Sequence, residues 1–222
     1  AVIGLNQGTL EALNRDELQI RMGGETVDTT VMFTDIRGFT SLSENYNPEQ
    51  LIQDLNRYFE VCVDMIFEHE GTLDKYIGDA IMAVWGTVEQ HQEDPIRAVR
   101  AAMLMQQKLE HFNKVRVEEE LPPFLTGIGI NTGPVVAGNM GSPKRREFTV
   151  IGDEVNIAAR LCSEAKGGEV IISHSTFLRV GHEFICRELP PASVKGKSEP
   201  LRIYRVEGFR EMSEIDNDAT FI

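Results

Sequence analysis

The spacing of apolar positions predicts that the first half of the chain contains strands and one long helix. Val27–Ile36 is rich in β-branched residues, which is typical of a buried strand. Over Pro48–Glu70, apolar residues recur every three or four positions, and this spacing predicts an amphipathic helix. Thr72–Ile77 and Ala80–Trp85 are two short apolar runs separated by Gly78-Asp79, a pair that favours a two-residue hairpin turn.

The second half of the chain continues this alternation. A second long helix is predicted over Asp94–Val117. Further strands are predicted over Leu125–Asn131, Glu147–Ile151, Val170–Ser173, Phe184–Leu189 and Leu201–Val206, and further helices over Asp153–Ala165 and His174–Val180. The order β-α-β-β-α-β followed by further β-α-β pieces predicts an α+β domain. Its core would be ferredoxin-like, with helices on one face of the sheet.

Polar segments at both ends mark the expected limits of this domain. Residues 1–25 are expected to be a linker or connector, because they are mostly polar and end in Met22-Gly23-Gly24. The folded domain is expected over 26–207. The tail over 208–222 is acidic, has little to bury, and is expected to be frayed.

Composition and charge exclude several classes of partner. The chain has 222 residues, with 22 basic and 35 acidic side chains and a formal net charge of −13. This balance argues against a nucleic-acid-binding face and against binding to an anionic membrane surface. No apolar run approaches the ~18 residues of a membrane span, so no membrane contact is expected. We expect a cytoplasmic piece of a larger protein. Cys62, Cys162 and Cys186 show no Cys-x-x-Cys spacing and are expected to be buried, reduced thiols.

Two aspartates stand at positions suited to binding a metal ion. Asp35 closes the first strand and Asp79 lies at the tip of the predicted hairpin. Adjacent strands of the predicted sheet would bring these two positions together. Two carboxylates at one sheet edge suit Mg²⁺, which binds through one or two carboxylates together with substrate phosphates. The alternative is that both aspartates simply form turns, where Asp is common.

A second polar pair lies on the helix predicted to begin near Asp153. Asn156 and Arg160 are four residues apart and therefore project from one helix face. An amide can orient a sugar hydroxyl, and a guanidinium offers paired donors to phosphoryl oxygens. The alternative is an ordinary solvated face.

Other sequence patterns for nucleotide or metal binding are not present. Gly127–Gly133 contains three glycines, but Pro134 follows it rather than a helix, so these are interpreted as strand and turn glycines instead of a dinucleotide fingerprint. No P-loop sequence occurs. The five histidines are scattered without ligand spacing, so no zinc site is expected.

Four segments together resemble the class III nucleotidyl cyclase catalytic domain, in the family's order and spacing. They are Phe33–Thr40, Lys75–Gly86, Gly127–Asn139 and Thr149–Leu161, and the likeness extends from about residue 26 to 206. The chain looks most like the soluble, bicarbonate-responsive adenylyl cyclases of the cyanobacterial type. The resemblance implies conversion of ATP to 3′,5′-cyclic AMP and pyrophosphate.

The resemblance also implies roles for individual residues. Asp35 and Asp79, with the backbone carbonyl of Ile36, match the positions that hold two Mg²⁺ or Mn²⁺ ions. Lys75 matches the lysine that reads the adenine ring. Thr149 stands where many adenylyl cyclases carry Asp, a departure typical of the bicarbonate-linked branch, and together with Lys75 it points to ATP.

The remaining implied roles concern the ribose, the phosphates and a second subunit. Asn156 matches the ribose-orienting residue, Arg160 the residue that stabilises the transition state, and Lys195 the lysine of the terminal phosphate, with Lys197 an alternative. In this family the active site lies between two subunits, so the chain is expected to form a homodimer with shared sites. A bicarbonate regulator is also implied. The alternatives are a guanylyl cyclase and a non-catalytic nucleotide-binding regulatory domain.

Overall fold

The computed structural model describes residues 24–142, 145–193 and 200–210. In this part of the chain, eight strands form one sheet and five helices pack against it. The strands are β1 Glu25–Ile36, β2 Thr72–Ile77, β3 Ala80–Trp85, β4 Thr126–Ser142, β5 Arg145–Ile151, β6 Val170–Ser173, β7 Phe184–Ala192 and β8 Leu201–Phe209. The helices are α1 Phe39–Glu44, α2 Pro48–Glu68, α3 Asp94–Glu118, α4 Asp153–Glu164 and α5 His174–Val180.

The sheet confirms the predicted ferredoxin-like core. Its strands lie in the order β2-β3-β1-β4-β6-β8-β7, and β5 pairs with the second half of β4. The first four strands in this order, β2, β3, β1 and β4, are each antiparallel to their neighbours within this group. Beyond them, β6 adds parallel to β4 and is followed by antiparallel β8 and β7. The last three strands are the predicted C-terminal elaboration.

Alternation of side chains along β1 separates two apolar cores. Met32 and Ile36 point into the larger core, which contains the buried faces of α2 and α3. Val27 and Val31 point to the opposite face and pack with residues of β5 and α4. The expectation that the helices share one face is therefore correct for α2 and α3 and wrong for α4. The reason is that α4 carries its own apolar stripe, which covers the second face.

Two further features differ from the sequence prediction. The predicted strand ending at Asn131 continues to Ser142, because β4 exchanges its partner β6 for β5, which pairs from Val136 onwards. Gly133 and Pro134 accordingly lie inside a strand that remains paired with β1, not in a turn. A short helix, α1, was also not predicted. It follows Gly38, whose φ of +69° is a conformation that glycine adopts at low cost.

Three expectations concern the chain ends, membrane contact and the cysteines. The predicted linker lies almost entirely outside the described residues, as does most of the predicted tail. Every helix within the described ranges is too short or too polar to span a lipid bilayer. All three cysteines are free thiols; Cys62 and Cys162 are buried as expected, whereas Cys186 is only partly buried.

Candidate active site

The two predicted metal-binding aspartates lie side by side at one edge of the sheet. Thr34 of β1 pairs with Ile81 of β3, and this register places the end of β1 beside the turn between β2 and β3. The backbone N–H of Ile36 donates a hydrogen bond of 3.0 Å to Asp79 Oδ2. The sheet therefore fixes the position of Asp79 relative to Asp35 and Ile36.

Arg37 is a further member of this cluster, and sequence reasoning did not single it out. Its guanidinium lies 2.9 Å from Asp35 Oδ2 and also donates to the Asp35 carbonyl oxygen. The same group donates to Cys162 Sγ of α4 at 3.5 Å. Arg37 thus links the end of β1 to the helix that carries the second polar pair. Its position two residues after Asp35 was the only signal in the sequence.

The electrostatics of the aspartate pair fit a divalent cation. Burial raises the pKa of Asp79 above its ordinary value; the Ile36 N–H opposes this rise, and the neighbouring charge of Asp35 adds to it. A shared cation offsets the repulsion between two neighbouring carboxylates. Two carboxylate ligands, completed by substrate phosphates, are the set that Mg²⁺ prefers.

Lys75 and Thr149 meet on a third residue, Asp74. Lys75 lies on β2 and Thr149 lies on β5. Strand β5 crosses the second face of the sheet, and this brings Thr149 next to β2. Thr149 Oγ1 donates to Asp74 Oδ2 at 3.0 Å, and Lys75 Nζ lies 3.3 Å from the same oxygen. Sequence reasoning named Lys75 and Thr149 but missed Asp74. Nothing in the sequence around Asp74 distinguishes it from an ordinary charged residue on the surface.

Asp74 is a buried carboxylate. Its side chain is 3% exposed, and Thr149 is 4% exposed. Burial raises the pKa of Asp74, whereas the charge of Lys75 and the hydrogen bond from Thr149 oppose the rise. The lysine and the threonine hydroxyl thus supply the partners that a buried carboxylate requires.

Asn156 and Arg160 lie together on the exposed face of α4, as the spacing predicts. The buried residues of this helix are Ile157, Ala158, Leu161 and Cys162. Arg160 pairs at 2.8 Å with Glu164, one turn further along the helix, and is about half exposed. Both proposed nucleotide ligands therefore point away from the sheet that carries the aspartate pair.

The glycines of β4 determine how closely α4 approaches the sheet. A Cβ atom on Gly129 would lie 2.0 Å from the backbone nitrogen of Cys162 and 2.6 Å from the Ala158 carbonyl oxygen. Gly133 similarly leaves room for Glu154, whose carboxylate accepts a 2.6 Å hydrogen bond from Asn131 Nδ2. The glycine-rich segment thus allows α4 to pack directly on the strand backbone, which sets the position of the Asn156 and Arg160 face.

The structure brings the predicted site residues together in three groups. Asp35, Ile36 and Asp79 form the first, Lys75 and Thr149 the second, and Asn156 and Arg160 the third. No hydrogen bond or ion pair joins the first group to the third in the described parts of the chain. Lys195 and its alternative Lys197 lie outside the described residues.

Comparisons with known proteins identify the family of this chain. Residues 23–208 match the family described as the adenylate and guanylate cyclase catalytic domain. This chain belongs to that family. An adenylate cyclase of Anabaena cylindrica is 40% identical to this cyclase domain over 187 residues, which cover 80% of the chain and 36% of the relative. The domain spans about a third or less of the length of the curated relatives it matches.

Solved structures confirm the fold of the cyclase domain. The adenylyl cyclase CyaB from P. aeruginosa is 35% identical and superimposes with a TM-score of 0.81, covering 85% of this chain and 98% of that one. The guanylyl cyclase Cya2 is 39% identical with a TM-score of 0.79, covering 86% and 97%. The relatives therefore include cyclases of both purine nucleotides at similar identity.

Proposed function

We propose that this domain is an adenylyl cyclase that converts ATP to 3′,5′-cyclic AMP and pyrophosphate. ATP is proposed as the substrate because Lys75 and Thr149 lie side by side, both in contact with the same oxygen of Asp74. A lysine ammonium can only donate hydrogen bonds, and a hydroxyl that donates to a carboxylate offers lone pairs to other partners. One donor and one acceptor, side by side, complement the N1 and N6 edge of adenine.

The aspartate pair supplies the proposed metal site. Asp35 and Asp79, together with the Ile36 carbonyl, would hold two Mg²⁺ or Mn²⁺ ions. Ions bound there would lower the pKa of the ribose 3′-hydroxyl group and would stabilise the charge on the attacking and leaving oxygens. The Ile36 N–H that donates to Asp79 keeps this carboxylate at the end of β1. No side chain is assigned as general base.

The exposed face of α4 supplies the proposed phosphate and ribose ligands. Asn156 would orient the ribose so that its 3′-oxygen is in line with the α-phosphorus. Arg160 would donate to the α-phosphoryl oxygens as negative charge builds on them, an effect often worth about 3 kcal/mol for a well-placed donor. Its partner Glu164 lies on the same exposed face, so exchange of that partner for phosphate requires no rearrangement of the core. Lys195 is proposed to bind the terminal phosphates.

We further propose that two copies of the chain share each active site. Asp35 and Asp79 lie at the edge of the sheet, while Asn156 and Arg160 point away from it, so a second copy is needed to complete the site. Large apolar side chains are exposed on the strands that lead to both groups. These are Tyr76 and Ile77 of β2, Val136 and Met140 of β4, and Ile151 of β5. Such side chains are typical of an interface. A symmetric homodimer would contain two complete sites.

The direct test is to incubate the purified domain with ATP or GTP and Mg²⁺ or Mn²⁺ and to identify the product. Cyclic AMP formed in preference to cyclic GMP supports the proposal. Preferential formation of cyclic GMP would make the domain a guanylyl cyclase, and nucleotide binding without turnover would make it a regulatory domain. The retention of both the aspartates and the Asn156 and Arg160 pair argues against the last alternative.

Regulation by bicarbonate is a further part of the proposal. It rests on the Lys75 and Thr149 pair, through which the domain resembles the bicarbonate-responsive branch. We expect added bicarbonate to raise the rate of cyclic AMP formation at fixed pH. A dose series that shows no rise, with matched chloride as the control, would contradict this expectation.

A further inference from the structure

The Thr149 hydroxyl group is held in one orientation by a buried carboxylate. Its oxygen lies 3.0 Å from Asp74 Oδ2, and a carboxylate can only accept, so the threonine hydrogen points toward Asp74. Lys75 Nζ lies 3.3 Å from the same oxygen. Asp74 and Thr149 are both nearly inaccessible to solvent, so water does not compete for this hydrogen bond.

This orientation limits what Thr149 can offer to a purine. A free hydroxyl has one hydrogen and two lone pairs, and it can either donate or accept. With its hydrogen directed to Asp74, Thr149 can only accept. Adenine presents an amino group at position 6, which donates, whereas guanine presents a carbonyl oxygen there, which accepts. An accepting Thr149 therefore forms a hydrogen bond with the amino group of adenine. With guanine, its lone pairs face those of the carbonyl oxygen, and no hydrogen bond forms.

We propose that Asp74 is a positioning residue that sets the preference for ATP over GTP by fixing the hydroxyl group of Thr149 as an acceptor. The inference rests on the proposed function, because it assumes that Lys75 and Thr149 contact the base. Asp74 itself acts through Thr149 and touches no substrate atom. The Asp74 carboxylate and the Thr149 hydroxyl together take the place of a single accepting side chain at position 149.

The test compares kcat/KM for ATP and GTP in variants at position 74. Asp74→Ala removes the acceptor, so Thr149 can rotate and donate to the guanine oxygen. We expect the ATP to GTP ratio to fall about tenfold, the worth of roughly one hydrogen bond. Asp74→Asn is the conservative rescue. Its amide oxygen can replace Oδ2, because the donor-only Lys75 favours an oxygen at that position, and the ratio should stay close to that of the wild type.

A Thr149→Val background separates this role from a purely structural one. If Asp74 acts through the hydroxyl, Asp74→Ala has no further effect on the ratio once Thr149 is Val. If Asp74 serves only as the charge partner of Lys75, Asp74→Ala changes the ratio equally in both backgrounds. That second outcome, or an unchanged ratio in Asp74→Ala alone, overturns the proposal.

Asp74→Leu guards against loss of folding in the alanine variant. It fills the buried space without an acceptor and removes a carboxylate that is costly to bury. The same fall in ratio is expected, and an unchanged ratio overturns the inference. Wild-type protein that forms no cyclic product from either nucleotide overturns the proposed function and this inference with it. Wild-type protein that forms cyclic AMP, with variants of unchanged ratio, overturns this inference alone.

Discussion

The Ile36 N–H donates a hydrogen bond of 3.0 Å to Asp79 Oδ2, which ties the end of the first strand to the tip of the hairpin. Asp35 precedes Ile36 in the chain, so this contact holds the Asp79 carboxylate beside the backbone of Asp35, whose own carboxylate lies 2.9 Å from Arg37. The sheet therefore positions the backbone of the pair, while Arg37 connects the Asp35 carboxylate to Cys162 of α4.

Replacement of Asp79 with Asn should abolish most of the activity without unfolding the domain. The amide can still accept from Ile36, but it lacks the charge needed to hold a metal ion. We expect turnover to fall at least about a hundredfold, the size of effect seen when one electrostatic stabiliser is lost. Asp64→Asn, at an exposed position on α2, is the matched control and should retain activity.

The same variants report metal binding without turnover. A ligand that binds only the folded state raises the melting temperature. Added Mg²⁺ together with an ATP analogue that lacks the 3′-hydroxyl group, and so cannot cyclise, should raise the melting temperature of the wild type and of Asp64→Asn more than that of Asp79→Asn. Equal increases in all three proteins would show that Asp79 does not hold the metal.

Gly129→Ala should damage the position of α4. The added Cβ would lie 2.0 Å from the Cys162 nitrogen, and backbone on both sides must shift to accommodate it. We expect a loss of about 1–3 kcal/mol in the free energy of unfolding and a clear loss of activity. Gly208→Ala is the matched control, since no atom lies within 4 Å of its added Cβ. Urea denaturation of both variants checks this, and equal stability of the two would contradict it.

A buried ion pair between α2 and α3 should be sensitive to the loss of one partner. Arg116 and Asp54 lie 3.1 Å apart and are 3% and 0% exposed. The Arg116 guanidinium also lies 3.8 Å from the centroid of the Phe124 ring. Arg116→Met leaves the Asp54 carboxylate without its cation and should destabilise the domain by about 3–5 kcal/mol. The double variant with Asp54→Leu should recover most of this loss, as urea denaturation would show.

The pH dependence of this pair has a definite sign. Burial raises the pKa of Asp54. Hydrogen bonds from Tyr46, Gln50 and Arg116, together with the charge of Arg116, lower it by more, so the pKa of Asp54 lies below its ordinary value. The stabilisation is therefore present above the ordinary carboxyl pKa and is lost as the pH falls through the lower, folded-state pKa. The advantage of the wild type over Asp54→Asn should be the same at pH 7 and pH 5. A decline between these values would contradict the assignment.

The cysteines should not react in the folded protein. Burial raises the pKa of Cys62 to about 12, and those of Cys162 and Cys186 to about 11. Only the thiolate reacts at an appreciable rate, so a thiol reagent at pH 8 should modify all three in urea and none in buffer. Rapid labelling of any one in buffer would contradict this.

Local sequence patterns predicted the core of the fold, because the spacing of apolar residues and the turn residues identify most of its strands and helices one by one. The predicted and observed bounds of β2, β3 and β6 are identical, since these short apolar runs are bounded by turns or, at the end of β6, by the start of α5. The long β4 could not be predicted beyond Asn131. Its second half is a strand because β5 pairs with it, and that pairing is a tertiary contact. The position of α4 on the second face likewise depends on its contact with Gly129.

The candidate site shows the same division. The spacing of Asn156 and Arg160 on one helix turn predicted their shared face, and the sheet order predicted the meeting of Asp35 with Asp79. Asp74 could not be found from the sequence, because its importance arises when β5 crosses to β2 and Thr149 reaches it. Arg37 was missed for a similar reason, since its contact with Cys162 joins distant parts of the chain.

We propose that two copies of this chain build one adenylyl cyclase site, and this arrangement can be tested by mixing two inactive variants. Asp35→Ala lacks a proposed metal ligand and Arg160→Ala lacks the proposed phosphate ligand, so each should be inactive alone. An equal mixture should form cyclic AMP at about a quarter of the wild-type rate, because about half the dimers are mixed and each mixed dimer has one intact site. A mixture no more active than its separate components would contradict the account.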